Sequence, residues 1–277
     1  MNPILSIVIA TLDCAVDLDA CLDSAQKVLT GLEKYEYEII IKDCSSDKSV
    51  KEVFEKYELL LSLKYHHQKD SGIYDAWNQA MKHCHGQWIY FMGADDAFIE
   101  GFDFNNLREA FKTDDYPLIS IPVMYVYGEE TLVATINKDS FLKKIRYSNP
   151  FHHQGIFHRA AVLKELEFDS KFIVSGDFDL MLKIIKVNPE LILCLTSRPM
   201  VRMYSGGISS RIDTNLLRLK ERAMVRANNG VATNHQIVIL AYLAAYTKKL
   251  LSLFINQEYL ANRYFHLKIS AARIFKK

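Results

Sequence analysis

Apolar residues fill consecutive positions in four short stretches of the first hundred residues: LSIVIAT (5 to 11), YEIIIKD (37 to 43), LSLKYHH (61 to 67) and QWIYFM (87 to 92). Between them the apolar positions recur at helical spacing, near 17 to 32, 48 to 57 and 73 to 84. Strands apolar on both alternations are covered on both faces, and strands separated by helices pair in parallel. The order therefore predicts a β-α-β-α-β-α-β unit, an α/β fold with a mostly parallel sheet between helices. Such sheets take ligands beyond the carboxyl ends of their strands. Three of those ends carry acids: Asp13, Asp43, and Asp95 with Asp96. A buried, unpartnered carboxylate costs several kcal/mol, so the acids of IYFMGADDAF belong just past the strand, as cation ligands or as an Asp-rich turn beside Gly93.

Farther on, PLISIPVMYVYGEETLVATI (117 to 136) alternates like a hairpin around Gly128 and Glu129, which begins a mixed second part of the sheet. The string SGDFDLMLKIIKV (175 to 187) reads as a helix start with Ser175 or Asp177 as caps and Leu180, Leu182, Ile184 and Ile185 on its apolar face. From about 213 to Lys277 the chain turns helical and basic. The expected organisation is a catalytic domain over 1–212, with a ligand-binding half at 1–100 and a second half at 101–212, then a basic amphipathic extension over 213–277. In the extension Ile237 to Tyr246 is too short to cross a bilayer, and Lys248 and Lys249 end it. With Arg263, Lys268, Arg273, Lys276 and Lys277 it fits an anionic inner-leaflet surface, a partner subunit in a homo-oligomer, or a solvated basic face.

Composition narrows the partners. A net charge of +1 over 277 residues gives no field that favours nucleic acid. Five scattered cysteines without CxxC or Cys/His spacing read as buried thiols in a reducing compartment. MNPILSIVIATLD lacks a basic leader and a cleavage site, so it reads as the first strand of a cytoplasmic protein. Neither GxGxxG nor GxxxxGK[ST] occurs, which removes the two common phosphate-cradling loops. An acid-lined sheet edge repels a bare pyrophosphate, whereas Mg²⁺ or Mn²⁺ accepts carboxylate and phosphate oxygens together; a metal-bridged nucleotide diphosphate suits Asp95.

Five segments in order, SIVIATLD, IIIKDCSSDKS, KDSGIYDAWNQAM, GADD and SGDFDLMLK, resemble glycosyltransferase family 2 from about Ser6 to Tyr204. These are inverting nucleotide-sugar enzymes of the GT-A fold, with a Rossmann-like central sheet. The resemblance implies that Thr11 and Asp43 hold the nucleoside, with Asp13, Ser45 and Asp47 nearby, and that Asp43 accepts from the uracil N3 proton of UDP. It sets Asp70, Gly72, Tyr74, Asp75 and Asn78 along the sugar-nucleotide, although Asp70 also reads as a helix cap and Tyr74 and Trp77 as helix core residues. GADD stands where the family has a DxD motif. Gly93 replaces the first acid, leaving Ala94, Asp95 and Asp96 on the donor and Asp95 as the ligand for Mn²⁺ or Mg²⁺, with weaker metal dependence.

The matching position for the catalytic base is Asp177, with Asp179 toward the acceptor; the plainer reading of Asp177 is an acid favoured by a helix N-terminus. In NPFHHQGIFHR the spacing is not that of a zinc helix, and the resemblance puts His153 and Gln154 on acceptor hydroxyls, strand-edge polar residues being the alternative. RMYSGGISSR suits a loop closing over the diphosphate with Arg202 or Arg211, or a plain connector. The implied reaction moves a hexose (glucose, galactose or N-acetylhexosamine) from a UDP-sugar to a saccharide. A lipid-linked oligosaccharide of O-antigen, capsule or lipopolysaccharide synthesis fits, on the inner face of the bacterial membrane. Two alternatives stay open: a sugar nucleotidyltransferase, although IATLDCAVD lacks the Gly- and Lys/Arg-rich phosphate loop, and an inactive sugar-nucleotide-binding module.

Overall fold

The computed structural model describes residues 2–204 and 214–251. Strand β1 (Leu5–Thr11) is flanked in parallel by β2 (Tyr37–Asp43) and β4 (Trp88–Gly93), with Thr11 opposite Asp43 and Ala10 opposite Gly93. Three acid-bearing strand ends therefore lie side by side. β3 (Leu63–His67) extends the sheet beyond β2. Beyond β4 come β9 (Ile156–Arg159), β6 (Leu118–Ser120) and β10 (Ile192–Cys194), giving the order β10-β6-β9-β4-β1-β2-β3 with β9 alone antiparallel. Helices α1 (Ala15–Val28), α2 (Ser49–Tyr57) and α3 (Ile73–Met81) are the crossovers.

Alternation in β1 feeds two cores. Ile7 and Ile9 pack with Leu18, Leu22, Ile39 and Tyr90, while Val8 packs on the opposite face with Ile40, Phe91, Leu180 and Val225. Each fully buried Ile or Leu side chain contributes about 1.5–3 kcal/mol, so a charge at Ile40 would break the domain before it reached the site.

The 117 to 136 segment departs from the single hairpin expected of it. Residues 118–120 join the main sheet as β6, and Pro122, which has no N–H to give a ladder, separates them from β7 (Val123–Tyr127) and β8 (Glu130–Ala134). The β7–β8 turn uses Gly128 at φ 57°, as expected. β7, β8, β5 (Ala97–Phe98) and β11 (Val201–Tyr204) form a second sheet in the order β5-β11-β7-β8. Short helices α4 (Arg108–Phe111), α5 (Lys138–Lys144) and α6 (Ala160–Leu166) fill the connections. The helix expected at 175–187 is α7 (Gly176–Ile185), and α8 (Asn215–Asn228) packs on it through Val225. α9 (His235–Leu251) buries only Val238 and Ala245. Arg263, Lys268, Arg273, Lys276 and Lys277 lie outside the described residues.

Candidate active site

The ends of β1 and β2 are laced together. Asp43 is fully buried, and its Oδ1 accepts from the Thr11 hydroxyl at 2.9 Å and from the Ser45 N–H and hydroxyl at 3.0 and 2.6 Å. Its Oδ2 accepts from the Tyr65 hydroxyl at 2.7 Å and faces His67 Nδ1 at 3.4 Å. Burial disfavours the charge, but these bonds outweigh it and hold the carboxyl below its usual range. Asp43, expected to accept from a uracil N–H, is bonded through both carboxylate oxygens inside the protein and organises the two strand-end loops. Asp13, at φ 50°, donates its N–H to the Ser45 hydroxyl and accepts from the Ser46 N–H at 3.2 Å, closing one strand-end loop on the other.

The start of α3 is fixed from beneath. Lys42, 1% exposed in a strand buried on both faces, donates to Asp70 Oδ2 and to the Gln68 carbonyl at 2.6 Å each. Asp70 Oδ1 accepts the Gly72 N–H at 3.1 Å, closing a turn that leads into α3, whose N-cap is Gly72. Gly72 sits at φ 133°, a conformation that L side chains rarely adopt. Asp75 reaches back to the Ser71 N–H at 2.8 Å, in the manner of a capping box. Asn78 trades both ends of its amide with the Phe168 backbone at 2.8 and 2.9 Å. Of the expected donor contacts, Asp70 and Asn78 are thus spent inside the protein. Lys42 was missed, and a lysine inside an otherwise apolar strand was the signal.

Beyond β4 the chain turns at Gly93, Ala94, Asp95 and Asp96. A side chain at Gly93 would put its Cβ 2.7 Å from both Asp95 Oδ1 and Asp96 Oδ2, so the glycine leaves room for two carboxylates to fold back over the strand end. Asp95 is exposed. Asp96 is buried, accepts the Tyr204 N–H at 3.1 Å and is bonded by the Gln154 side chain; burial, with the Asp95 charge, pushes its pKa up to about 7. Gln154, expected on an acceptor hydroxyl, here bonds the acid turn. Asp17, Ala20, Asp95, Asp96, Ala97 and Tyr204 line one pocket. Arg202 is exposed on β11 opposite Ala97, and Arg211 lies outside the described residues.

Half-buried Asp177 opens α7, and its Oδ1 accepts the Tyr74 hydroxyl at 3.3 Å. The preceding Gly176 makes this contact sterically feasible, since a Cβ there would lie 2.9 Å from the Tyr74 ring. The segment before it is clamped by Glu221 of α8, whose Oε1 accepts the Ile173 N–H at 2.7 Å and whose Oε2 accepts Val174 and Ser175 at 2.9 and 2.8 Å. Glu221 had no sequence signal beyond being an acid on a basic helix. Asp179 is 1% exposed, paired with Lys183 at 2.6 Å and Asn229 at 2.9 Å, so the acceptor contact expected of it gives way to a structural one. His153 is buried, stacks on Trp77 at 4.6 Å and lies against Phe91 and Phe168, within electrostatic reach of Asp177, and burial pushes its pKa down. Tyr125 of β7 is within electrostatic reach of both Asp96 and Asp177, so the acid turn after β4 and the start of α7 border one region.

Fold and strand-end acids together define an α/β protein of the GT-A type. The glycosyl transferase family 2 model matches residues 6–167, so the chain belongs to that family and is a glycosyltransferase. It is 27% identical over 218 residues to a PGL/p-HBAD biosynthesis glycosyltransferase of Mycobacterium tuberculosis, covering 76% of this chain and 80% of that one. TarS 1–349 of S. aureus, solved in complex with UDP-GlcNAc, superposes with a TM-score of 0.60 at 20% identity, over 84% of this chain and 70% of that chain. The mannosyltransferase PcManGT of Pyrobaculum calidifontis, solved with GDP-Man and Mn²⁺, does so at 0.56 and 14% identity, over 98% and 81%.

Proposed function

We propose that the protein transfers a hexosyl group from a UDP-sugar to a saccharide hydroxyl with inversion, and that Asp177 is the base. The observation that carries the reading is Asp177 at the start of α7, held by the Tyr74 hydroxyl and sharing with Asp96 the electrostatic reach of Tyr125. Inversion needs one such group on the acceptor face to take the hydroxyl proton as the oxygen attacks the anomeric carbon. Tyr74 orients that carboxylate, and the loops knit by Thr11, Asp13, Asp43 and Ser45 form the wall against which the nucleoside lies. UDP is favoured by the structural likeness to TarS, solved with UDP-GlcNAc.

Among the described residues no three His, Cys, Asp or Glu side chains converge on one point. Asp95 and Asp96 instead offer a two-carboxylate edge, which fits Mn²⁺ or Mg²⁺, cations that complete their shell with phosphate and water. Such a cation neutralises diphosphate charge when bound, and PcManGT was solved with Mn²⁺. A lipid-linked oligosaccharide acceptor at the inner face of a membrane suits α9: Ile239, Leu240, Leu243, Tyr246 and Leu250 are 58–65% exposed along one stripe. No helix among the described residues is long and apolar enough to cross a bilayer.

The deciding experiment replaces Asp177 by Asn. Turnover, measured as acceptor-dependent UDP release, is expected to fall by about two to four orders of magnitude with UDP-sugar affinity kept. Near-normal turnover would move the base elsewhere.

A further inference from the structure

Helix α8 sets guanidinium groups beside Asp177. The three bonds from Glu221 to residues 173–175 fix the rotation and height of α8 against the segment that leads into Asp177. The next residue, Arg222, is thereby set within electrostatic reach of Asp177 and Tyr74, with Tyr125 of β7 also close to it. Arg218 and Arg226 stand one turn before and one turn after on the same stripe. Arg218 donates to Asn215 and lies near Tyr127.

Asp177 attracts Arg222, while Arg218 and Arg226 both repel it; burial, then Arg218, lower its pKa to about 10, so it stays charged at neutral pH. Its Nε is buried and meets no acceptor among the described residues. A charged donor left in that state costs on the order of 1–3 kcal/mol, a cost that an incoming anion would remove.

We propose that Arg222, with Arg218, forms an oxyanion subsite beside Asp177 that takes a phosphate or carboxylate group carried by the acceptor saccharide. The assignment to the acceptor rests on Asp177 being the base. Arg222 is within electrostatic reach of Asp177 and of Tyr74, the residue that bonds Asp177. A planar guanidinium binds either oxyanion through paired N–H donors, so phosphate diester and uronic acid share one chemistry here.

The test is calorimetric titration of the full chain, with and without saturating UDP and Mg²⁺, by methyl phosphate, methyl glucuronoside and the neutral methyl glucoside. At least one anion is expected to bind the UDP-loaded chain while the glucoside stays silent, and the stronger anion identifies the acceptor class. Arg222→Gln is expected to weaken that binding by about tenfold or more with UDP affinity unchanged, and Arg222→Lys to keep part of it. Absence of anion binding, equal binding by Arg222→Gln, or displacement of UDP by the anion would overturn the subsite. Failure of the wild-type chain to bind UDP would sink the donor reading instead, and the UDP-free titrations would still report on Arg222.

Discussion

At the scale of single residues, two glycines do the work that their neighbours are credited with. Gly93 gives up one acid of the DxD pattern, and in exchange Asp95 and Asp96 both turn back over the strand end. Gly176 lets the Tyr74 ring lie close enough to bond Asp177. The pKa of Asp96, raised to about 7 by burial and Asp95, makes the acid turn sensitive to pH. For an acid raised in this way, the contribution to stability is complete below the ordinary carboxylate range and is lost as pH rises through about 7. A cation that binds the ionised form reverses the sign for binding: affinity for UDP with Mn²⁺ should climb between about pH 6 and pH 8, with proton release, and Asp96→Asn should flatten the climb. Calorimetry in buffers of differing ionisation enthalpy measures both; a flat profile in the wild type would remove Asp96 from the cation site. A methyl group in Gly93→Ala, set 2.7 Å from both carboxylates, is expected to weaken the same Mn²⁺-dependent binding while leaving UDP binding without metal unchanged.

At the scale of elements, α8 acts on α7 through one side chain. Glu221 offers two oxygens to three N–H donors, whereas a glutamine can place oxygen on one side only and turns an NH₂ toward the other. Glu221→Gln is therefore expected to lower kcat roughly tenfold or more with UDP-sugar affinity intact, alongside a lower Tm. A lowered Tm at unchanged kcat would leave the clamp a purely structural one. This element also marks where the sequence stops being readable. β1, β2 and β4 were legible because consecutive apolar residues have few places to go except a doubly covered strand. The acids at their ends were legible for the converse reason, since a buried carboxylate without partners is costly; Lys42, inside β2, is carried there by its pairing with Asp70. Glu221 and Lys42 were not, because their roles depend on partners 46 to 48 and 28 residues away, which a local pattern does not carry. Asn78 and His153 looked like polar groups free for sugar, yet tertiary packing gave one to the Phe168 backbone and the other to a ring stack.

At the scale of the whole molecule, the first hundred residues and the segment that follows them meet along β4, β9 and the second sheet, and α9 leaves an apolar stripe exposed. Replacing Leu240 and Leu243 together by Glu should lower sedimentation with anionic vesicles and leave UDP affinity unchanged. Equal pelleting of variant and wild type would make the stripe a contact between subunits. The bond from the Tyr204 N–H to Asp96 spans 108 residues, and β5 depends on the same distant strand β11 for its pairing. On a ribosome adding roughly 5–20 residues per second, the acid turn waits on the order of ten seconds after Asp96 is made before its brace exists. β1 to β4 pair across far shorter loops and have every reason to assemble first. The young chain thus passes through a stage that has its strand-end loops but lacks the brace of its acid turn. In pulse-labelled hydrogen exchange during refolding, the Ile99 amide, which donates to the Met200 carbonyl beside β11, should be among the last to gain protection, well after those of Ile39 to Ile41.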